Sequence, residues 1–255
     1  MTSLLDIENE FIRLEKIRKN GNWFDPRNQE NYILRKRDYD FGERNYFDLD
    51  AEDYHFYKDL QASRGIPDIV DKSVTDYLSD FENSAYDMNG EDHQRNEELL
   101  GLLDIDGITN FVELGFRTPS VLNYWSERGL CVKGYDVVKV NVLVSSYLGW
   151  DVEEYDLSLC DRSLIFEDNT LVVSYHCFEH LIDPLNALRR VYSDMKHGSY
   201  FHIEVPVEDQ SIPNLKYGHM QTFHSGDLQN MIDIVGFNVV NKTQRNDVDR
   251  FLVKK

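Results

Sequence analysis

Cysteine is scarce in this chain of 255 residues, and its few cysteines form no recognisable pattern. Cys131, Cys160 and Cys177 are odd in number, lie far apart and form no C-x-x-C pair. A disulfide framework needs paired cysteines, and a thiolate zinc site needs them closely spaced. We therefore expect neither of them; the pattern fits a reducing compartment, and we expect a cytoplasmic protein.

Long apolar stretches are also missing. No run of about 18 apolar residues, the length of a membrane-spanning helix, occurs anywhere in the sequence. The first residues, MTSLLDIENEFIRLEK, are amphipathic and charged, and they lack the apolar region of a secretory signal. We therefore expect neither a membrane partner nor export.

Positive charge is in short supply. The sequence has 27 Lys and Arg against 46 Asp and Glu, a formal net charge of −19. Such a surface repels phosphate backbones, so we expect no nucleic-acid partner, and the local basic patch Arg35-Lys36-Arg37 does not reverse that expectation. Hydrophobic residues make up 41% of the chain, which is enough for a packed core.

The chain changes character near residue 95. Residues 1–95 are rich in charge and tyrosine, and we interpret them as a mainly helical extension that covers the substrate pocket of a domain formed by 96–255. Apolar periodicity predicts a helix over 3–19, Asp25-Pro26 predicts a helix start, and 50–62 and 68–83 are further candidate helices. The tyrosines of this segment either line the pocket or form a packing surface or homodimer contact: Tyr39, Tyr46, Tyr54 and Tyr57.

After residue 95, predicted strands alternate with predicted helices. Strands are expected over 109–115, 130–136, 150–157, 169–176 and 198–207, followed by a final pair in FNVVNKT and DRFLVKK. Helices are expected over 120–129, 137–149, 183–195 and 225–236, the last with Ser225 as its N-cap. The alternation predicts an α/β fold: a Rossmann-like, doubly wound, mostly parallel seven-stranded sheet with an antiparallel last strand.

Polar residues follow the first three predicted strands, where an open parallel sheet binds its ligands. Gly115 lies in the turn after the first strand, where it lets the backbone approach a ligand or serves only the tight turn. Asp136 ends the second strand and can accept hydrogen bonds from ribose hydroxyls, although a solvated loop acid is the alternative. Asp156 and Leu157 end the third strand, where an adenine would meet them.

Taken together, residues 108–255 resemble class I S-adenosylmethionine (SAM)-dependent methyltransferases. The resemblance rests on FVELGFRT, VKGYDVV and EEYDLS, on the segment from LVVSYHCFEHL through the fifth strand, and on HMQTFHSGDLQNMIDIVGF. One departure concerns the glycine motif, because Arg117 and Pro119 occupy positions where the family has glycine. Either Arg117 contacts the cofactor carboxylate, or the pocket is altered and binds the cofactor weakly.

The resemblance implies SAM as cofactor and methyl transfer to an O or N atom of a small molecule. The residues that it implies for cofactor binding are Glu113, Gly115, Arg117, Thr118, Asp136, Val137, Asp156, Leu157 and Tyr175. A rival hypothesis is a SAM-fold interaction or scaffold protein without catalysis, which the altered glycine motif motivates.

The string His176-Cys177-Phe178-Glu179-His180 matches the H-x-x-E-H signature of a zinc hydrolase. That site needs both histidines on one continuous helix, whereas LVVSY before the string predicts a strand and Asp183-Pro184 after it begins the next helix. We therefore expect no metal from this motif. His176, Glu179 and His219 are instead candidates for catalytic contact with the substrate, and His176 and His219 are the candidate bases.

Overall fold

A seven-stranded sheet forms the centre of the protein in the computed structural model, which describes residues 2–19, 73–103, 107–159, 162–208, 219–244 and 247–255. The strands lie in the order β3-β2-β1-β4-β5-β7-β6. Their bounds are β1 Asn110–Leu114, β2 Cys131–Asp136, β3 Val152–Glu154, β4 Thr170–Tyr175, β5 Tyr200–Pro206, β6 Asn238–Gln244 and β7 Val248–Lys254.

The strand directions confirm the predicted mostly parallel sheet. Neighbouring strands among β1 to β5 are parallel, whereas β7 runs antiparallel to both β5 and β6. The chain moves outward from β1 to β2 and β3 and then crosses back to place β4 on the other side of β1. The strand order therefore reverses between β1 and β4, which is where ligands bind in this class of sheet.

Helices cover both faces of the sheet. Their bounds are α1 Leu4–Lys19, α2 Val74–Ala85, α3 Glu91–Leu100, α4 Ser120–Ser126, α5 Lys139–Tyr147, α6 Pro184–Asp194 and α7 Asp227–Val235. Residues of α3, α4 and α5 join the core on one face, and residues of α6 and α7 join it on the other. Among the described helices, none combines the length and apolar character that a membrane span requires.

Strand β4 shows why the sheet carries two cores. All of its residues are buried, and its side chains alternate, so that Leu171 and Val173 contact one helical layer while Val172 contacts the other. Such near-continuous apolar sequence is typical of a parallel strand with both faces covered.

Of two N-caps predicted from the sequence, one is confirmed by the structure and the other is wrong. Asp183 caps α6 by accepting a hydrogen bond from the Asn186 N–H (2.9 Å), and Pro184 occupies the first turn, as predicted. The predicted Ser225 cap of α7 is wrong, because Gly226 occupies the N-cap position. The backbone there has a φ of 94°, which glycine adopts without strain.

The described helices before residue 95 pack onto the α/β unit. Ile7 and Leu14 of α1 and Phe81 of α2 form an apolar cluster with Val140 and Val144 of α5. The predicted helix over 3–19 is confirmed, and the one predicted over 68–83 is found at Val74–Ala85. The Asp25-Pro26 helix start, the helix over 50–62 and the four tyrosines lie outside the described residues, and the covering role of 1–95 stays a prediction.

Removing the buried Ile7 side chain tests this docking. Ile7→Ala should lower the free energy of unfolding by about 2–4 kcal/mol, because a fully buried side chain leaves a cavity between α1 and α5. Leu5→Ala is the matched control in the same helix, since Leu5 is 62% exposed. Urea unfolding measures both variants, and equal losses would contradict the packing of α1.

Candidate active site

The loop after β1 is held close to the loop after β4. Gly115 has a φ of 79°, and its N–H donates to the Tyr135 carbonyl oxygen (2.7 Å). A Cβ at this position would lie 2.7 Å from Sγ of Cys177, which is too close for any other residue to fit without movement. The turn and this packing both require glycine here, whether or not a ligand approaches.

Arg117 keeps the backbone shape that a glycine would give. It has a φ of 43°, in the left-handed region that most side chains avoid. Its N–H donates to Oδ2 of Asp136 (2.9 Å), while its side chain is exposed. The loop after β1 therefore adopts the left-handed conformation at a residue that is not glycine, and the departure from the family's glycine motif stays a prediction.

Asp136 is buried at the end of β2. Its carboxylate accepts hydrogen bonds from the N–H groups of Val138 (2.6 Å) and Arg117 (2.9 Å). Burial raises its pKa to about 6, although these hydrogen bonds act in the opposite direction. The carboxylate can thus accept further hydrogen bonds, but it ionises less readily than an exposed carboxyl group does.

Glu113 places a second buried carboxylate in the same region. Among the described residues its Oε2 has no hydrogen-bond partner. Burial raises its pKa well above the usual range, and the nearby charges of Asp92 and Asp136 raise it further. A buried acceptor beside another acid is costly alone. The arrangement favours a ligand that brings positive charge and hydrogen-bond donors.

The other residues that were predicted to contact the cofactor differ in how accessible they are to a ligand. Asp156 is half-buried, and its Oδ1 accepts from the Ser158 N–H (2.8 Å), while Val137 directly follows Asp136 and is exposed. Thr118 lies in the β1 loop, with Oγ1 3.4 Å from Oγ of Ser120. Leu157 and Tyr175 are instead buried in the two cores of the sheet, which leaves them little surface for a cofactor.

His176, directly after β4, is clamped between two buried acids. Its Nε2 lies 2.8 Å from Oε1 of Glu204, and its Nδ1 lies 3.4 Å from Oε1 of Glu179. Burial lowers the pKa of His176, but the two carboxylates outweigh it and raise the pKa to about 9. The backbone φ of 48° shows that this residue also adopts the left-handed conformation.

Glu204 is a site residue that the sequence analysis missed. It is fully buried at the end of β5, where Nε of Arg95 (3.2 Å), Nε of Arg250 and the His176 ring surround its carboxylate. The available signal was an acid inside the apolar strand FHIEVP, because a buried charge requires partners. Those partners come from α3, from β7 and from the residue directly after β4, all far away in sequence.

The loops after β4 and β5 meet at a single turn. Phe178–His180 is one 3-10 turn, so the H-x-x-E-H string spans a strand end and a turn, as expected, and not a continuous helix. The Glu179 carbonyl accepts from the N–H groups of Met220 (2.7 Å) and Gln221 (3.0 Å). These bonds bring His219 beside His180, with 5.1 Å between the ring centroids.

No family model matches the sequence, and a search of curated proteins finds no similar one. Solved structures do match. A chain of the complex between the Haloferax volcanii Trm112 methyltransferase activator and a methyltransferase has a TM-score of 0.55 and 13% identity, covering 71% of this chain and 97% of that one. An Archaeoglobus fulgidus SAM-dependent methyltransferase has a TM-score of 0.51 and 16% identity, covering 72% and 100%. The chain has the class I SAM-dependent methyltransferase fold.

The fold alone does not fix the reaction. The [4+2]-cyclase SpnF also matches, with a TM-score of 0.50 and 14% identity, covering 59% of this chain and 58% of its own. Function must therefore be argued from the residues at the carboxyl edge of the sheet.

Arg117→Gly tests the strain in the β1 loop. We expect the free energy of unfolding to rise by about 1 kcal/mol, because glycine adopts a positive φ without steric conflict. Urea unfolding at neutral pH measures the change. Arg117→Ala is the control, since it removes the same exposed side chain but retains the Cβ; if it stabilised the protein equally, backbone strain would not be the cause.

Proposed function

We propose that the protein is a SAM-dependent methyltransferase that acts on an O or N atom of a small molecule. The observation that carries the proposal is the pair of buried carboxylates, Glu113 and Asp136, beside the point where the strand order reverses in a methyltransferase fold. Burial raises the pKa of both acids, and a cationic ligand would stabilise the ionised forms that burial disfavours, which a neutral or anionic ligand would not do.

The residues present fit the chemical groups of SAM. Asp136 would accept hydrogen bonds from the ribose hydroxyls, as an acid at this strand end does in dinucleotide sites. Glu113, whose Oε2 has no hydrogen-bond partner among the described residues, would face the positive charge of the methionine moiety. Arg117, whose side chain is exposed on the same loop, would bind the SAM carboxylate through its guanidinium.

The remaining cofactor contacts divide into two groups. Val137 and Asp156 are accessible beside Asp136 and are proposed to border the adenine. Gly115 and Thr118 shape the β1 loop. Leu157 and Tyr175 support the cleft from within the core, and in this proposal they act through packing.

SAM supplies a methyl group bound to a positively charged sulfur, and a nucleophile attacks that methyl group in line with its bond to the sulfur. The protein's contribution to such a reaction is mainly alignment of the acceptor. We propose that the acceptor enters where the loops after β4 and β5 meet, beside Glu179 and His219. Backbone hydrogen bonds join the two loops that carry these side chains.

Proton transfer depends on the acceptor. A neutral amine needs no base before it attacks, whereas a hydroxyl must lose its proton. His176 holds a proton at neutral pH because two carboxylates clamp it, so in the cofactor-free protein it orients groups and does not act as a base. His219 remains the candidate base, since its Nδ1 lies 3.0 Å from Oε1 of Glu208.

Calorimetry with SAM tests the proposed cofactor. The wild-type chain should bind SAM, and Asp136→Asn should weaken binding about 10-fold or more, because the amide keeps the size but loses the charge and one acceptor. Asp151→Asn is the matched control at an exposed acid one strand away. No heat at millimolar SAM would favour the scaffold hypothesis, and equal affinity of both variants would refute the ribose contact.

The affinity for SAM should also depend on pH in a defined direction. The Asp136 pKa of about 6 in the free protein means that its binding-competent carboxylate is lost as the pH falls through that value. Affinity should be nearly constant between about pH 6.5 and 7.5 and about 10-fold weaker near pH 5. Asp136→Asn should lack this decline; a variant with the same pH profile as the wild type would assign the titration elsewhere.

A further inference from the structure

Two loops bring a carboxylate and two imidazoles together beside the proposed acceptor entrance. One ligand-type atom from each of Glu179, His180 and His219 lies within 4.8 Å of the others. We propose that these three residues bind a divalent transition-metal ion. The H-x-x-E-H string thus contributes two ligands, but the third is His219 from the loop after β5 and not His176.

Glu179 gives the strongest indication of a missing ligand. Its side chain is 1% exposed, and among the described residues neither carboxylate oxygen has a hydrogen-bond partner. The histidine nitrogens nearest to it, Nδ1 of His176 (3.4 Å) and Nε2 of His180 (3.8 Å), lie beyond good hydrogen-bond distance. The contact with His176 satisfies the buried Glu179 carboxylate only in part, and a bound cation would stabilise it further.

The candidate ligands are held in place by their surroundings. The Met220 and Gln221 N–H groups donate to the Glu179 carbonyl, which joins the loop that carries His219 to the turn that carries Glu179 and His180. Nδ1 of His219 lies 3.0 Å from Oε1 of Glu208. A histidine that binds a metal commonly donates from its other ring nitrogen to a carboxylate, which fixes its tautomer and orientation.

The donor set selects the class of ion. Two imidazoles and one carboxylate suit Zn²⁺ and other first-row transition ions, whereas Mg²⁺ and Ca²⁺ prefer oxygen donors throughout. Ligand atoms would bind at about 2.1 Å from the ion, so the observed spacing requires side-chain shifts of about 1 Å. Three protein ligands leave a position open, and the His180 side chain, 33% exposed, borders solvent there.

The site deepens the proposed function and depends on it for its chemical role. An acceptor hydroxyl bound at the open position would lose its proton to solvent more readily, because a divalent cation lowers the pKa of a coordinated hydroxyl. His219 would then be a ligand, and the ion would take over the role of the base. A metal ion at this position therefore favours methyl transfer to an oxygen atom over transfer to a nitrogen atom.

Zinc titration of the metal-stripped full-length chain tests the site. Calorimetry should show one tight Zn²⁺ per chain and no comparable binding of Mg²⁺. His180→Ala, His219→Ala and Glu179→Gln should each weaken Zn²⁺ binding by about 100-fold, and Glu208→Gln by about 10-fold through the orientation of His219. His197→Ala, which removes an exposed histidine after α6, should bind as the wild type does.

Several results would overturn the metal site. These are the absence of tight Zn²⁺ binding, equal affinity in the wild type and the ligand variants, or an equal loss in His197→Ala, which would indicate adventitious surface binding only. Circular dichroism checks that each variant is folded. Visible absorption of the Co²⁺-loaded wild type provides a second measurement, and Glu208→Gln, which leaves all three ligands in place, should retain an intense but shifted spectrum.

SAM calorimetry on the same metal-stripped wild-type preparation separates the two proposals. Glu113 and Asp136, the proposed cofactor contacts, are not among the metal ligands. SAM binding without Zn²⁺ binding would therefore overturn the metal site and leave the cofactor assignment standing. Zn²⁺ binding without SAM binding would uphold the metal site but overturn the methyltransferase proposal and the role assigned to the ion.

Discussion

Carboxylates buried at the carboxyl edge of the sheet are the constraint on which the rest of the site depends. A buried charge is tolerated when donors or cations surround it. Glu204 has Arg95, Arg250 and His176 around it, and Asp136 has two backbone N–H groups. Oxygens of Glu113, Glu179 and Glu204 all lack hydrogen-bond partners among the described residues, but two arginines neutralise Glu204, whereas Glu113 and Glu179 have no arginine partner in the described part of the chain. Those two acids mark the proposed positions of the SAM cation and the metal ion.

Glu204 also joins elements from the whole length of the chain. Arg95 belongs to α3, and the boundary that we predict at residue 95 falls inside this helix. The same helix supplies Asn96, whose Oδ1 accepts from the Trp125 Nε1–H (2.7 Å) in the core beside the sheet. If a partner of Glu204 were removed, its charge would stay buried without compensation from solvent. Because it supplies such a partner, α3 contributes to the site as well as to packing.

The sequence predicted the sheet well because each strand and helix carries a local signal. The alternation of buried strands with helices needs no knowledge of distant contacts, and Asp136 follows from its place at the end of β2, whereas Glu113 came only from the family resemblance. The partners of Glu204 could not be predicted, since Arg250 depends on the pairing of β5 with β7, and Arg95 and His176 come from other elements. The cluster of Glu179 with His219 depends on the adjacency of two loops, which the H-x-x-E-H spacing does not encode.

Backbone strain lies on both sides of the cleft. Among the described non-glycine residues, Arg117, Asn169 and His176 have positive φ, and two of the three follow β1 and β4 at the point where the strand order reverses. Each such residue costs about 1–2 kcal/mol, so the surrounding contacts must hold it in place. Arg117 is held by its hydrogen bond to Asp136, and His176 by two acids. Asp136 and Glu179 therefore each belong to a proposed ligand site and also hold a strained loop in place.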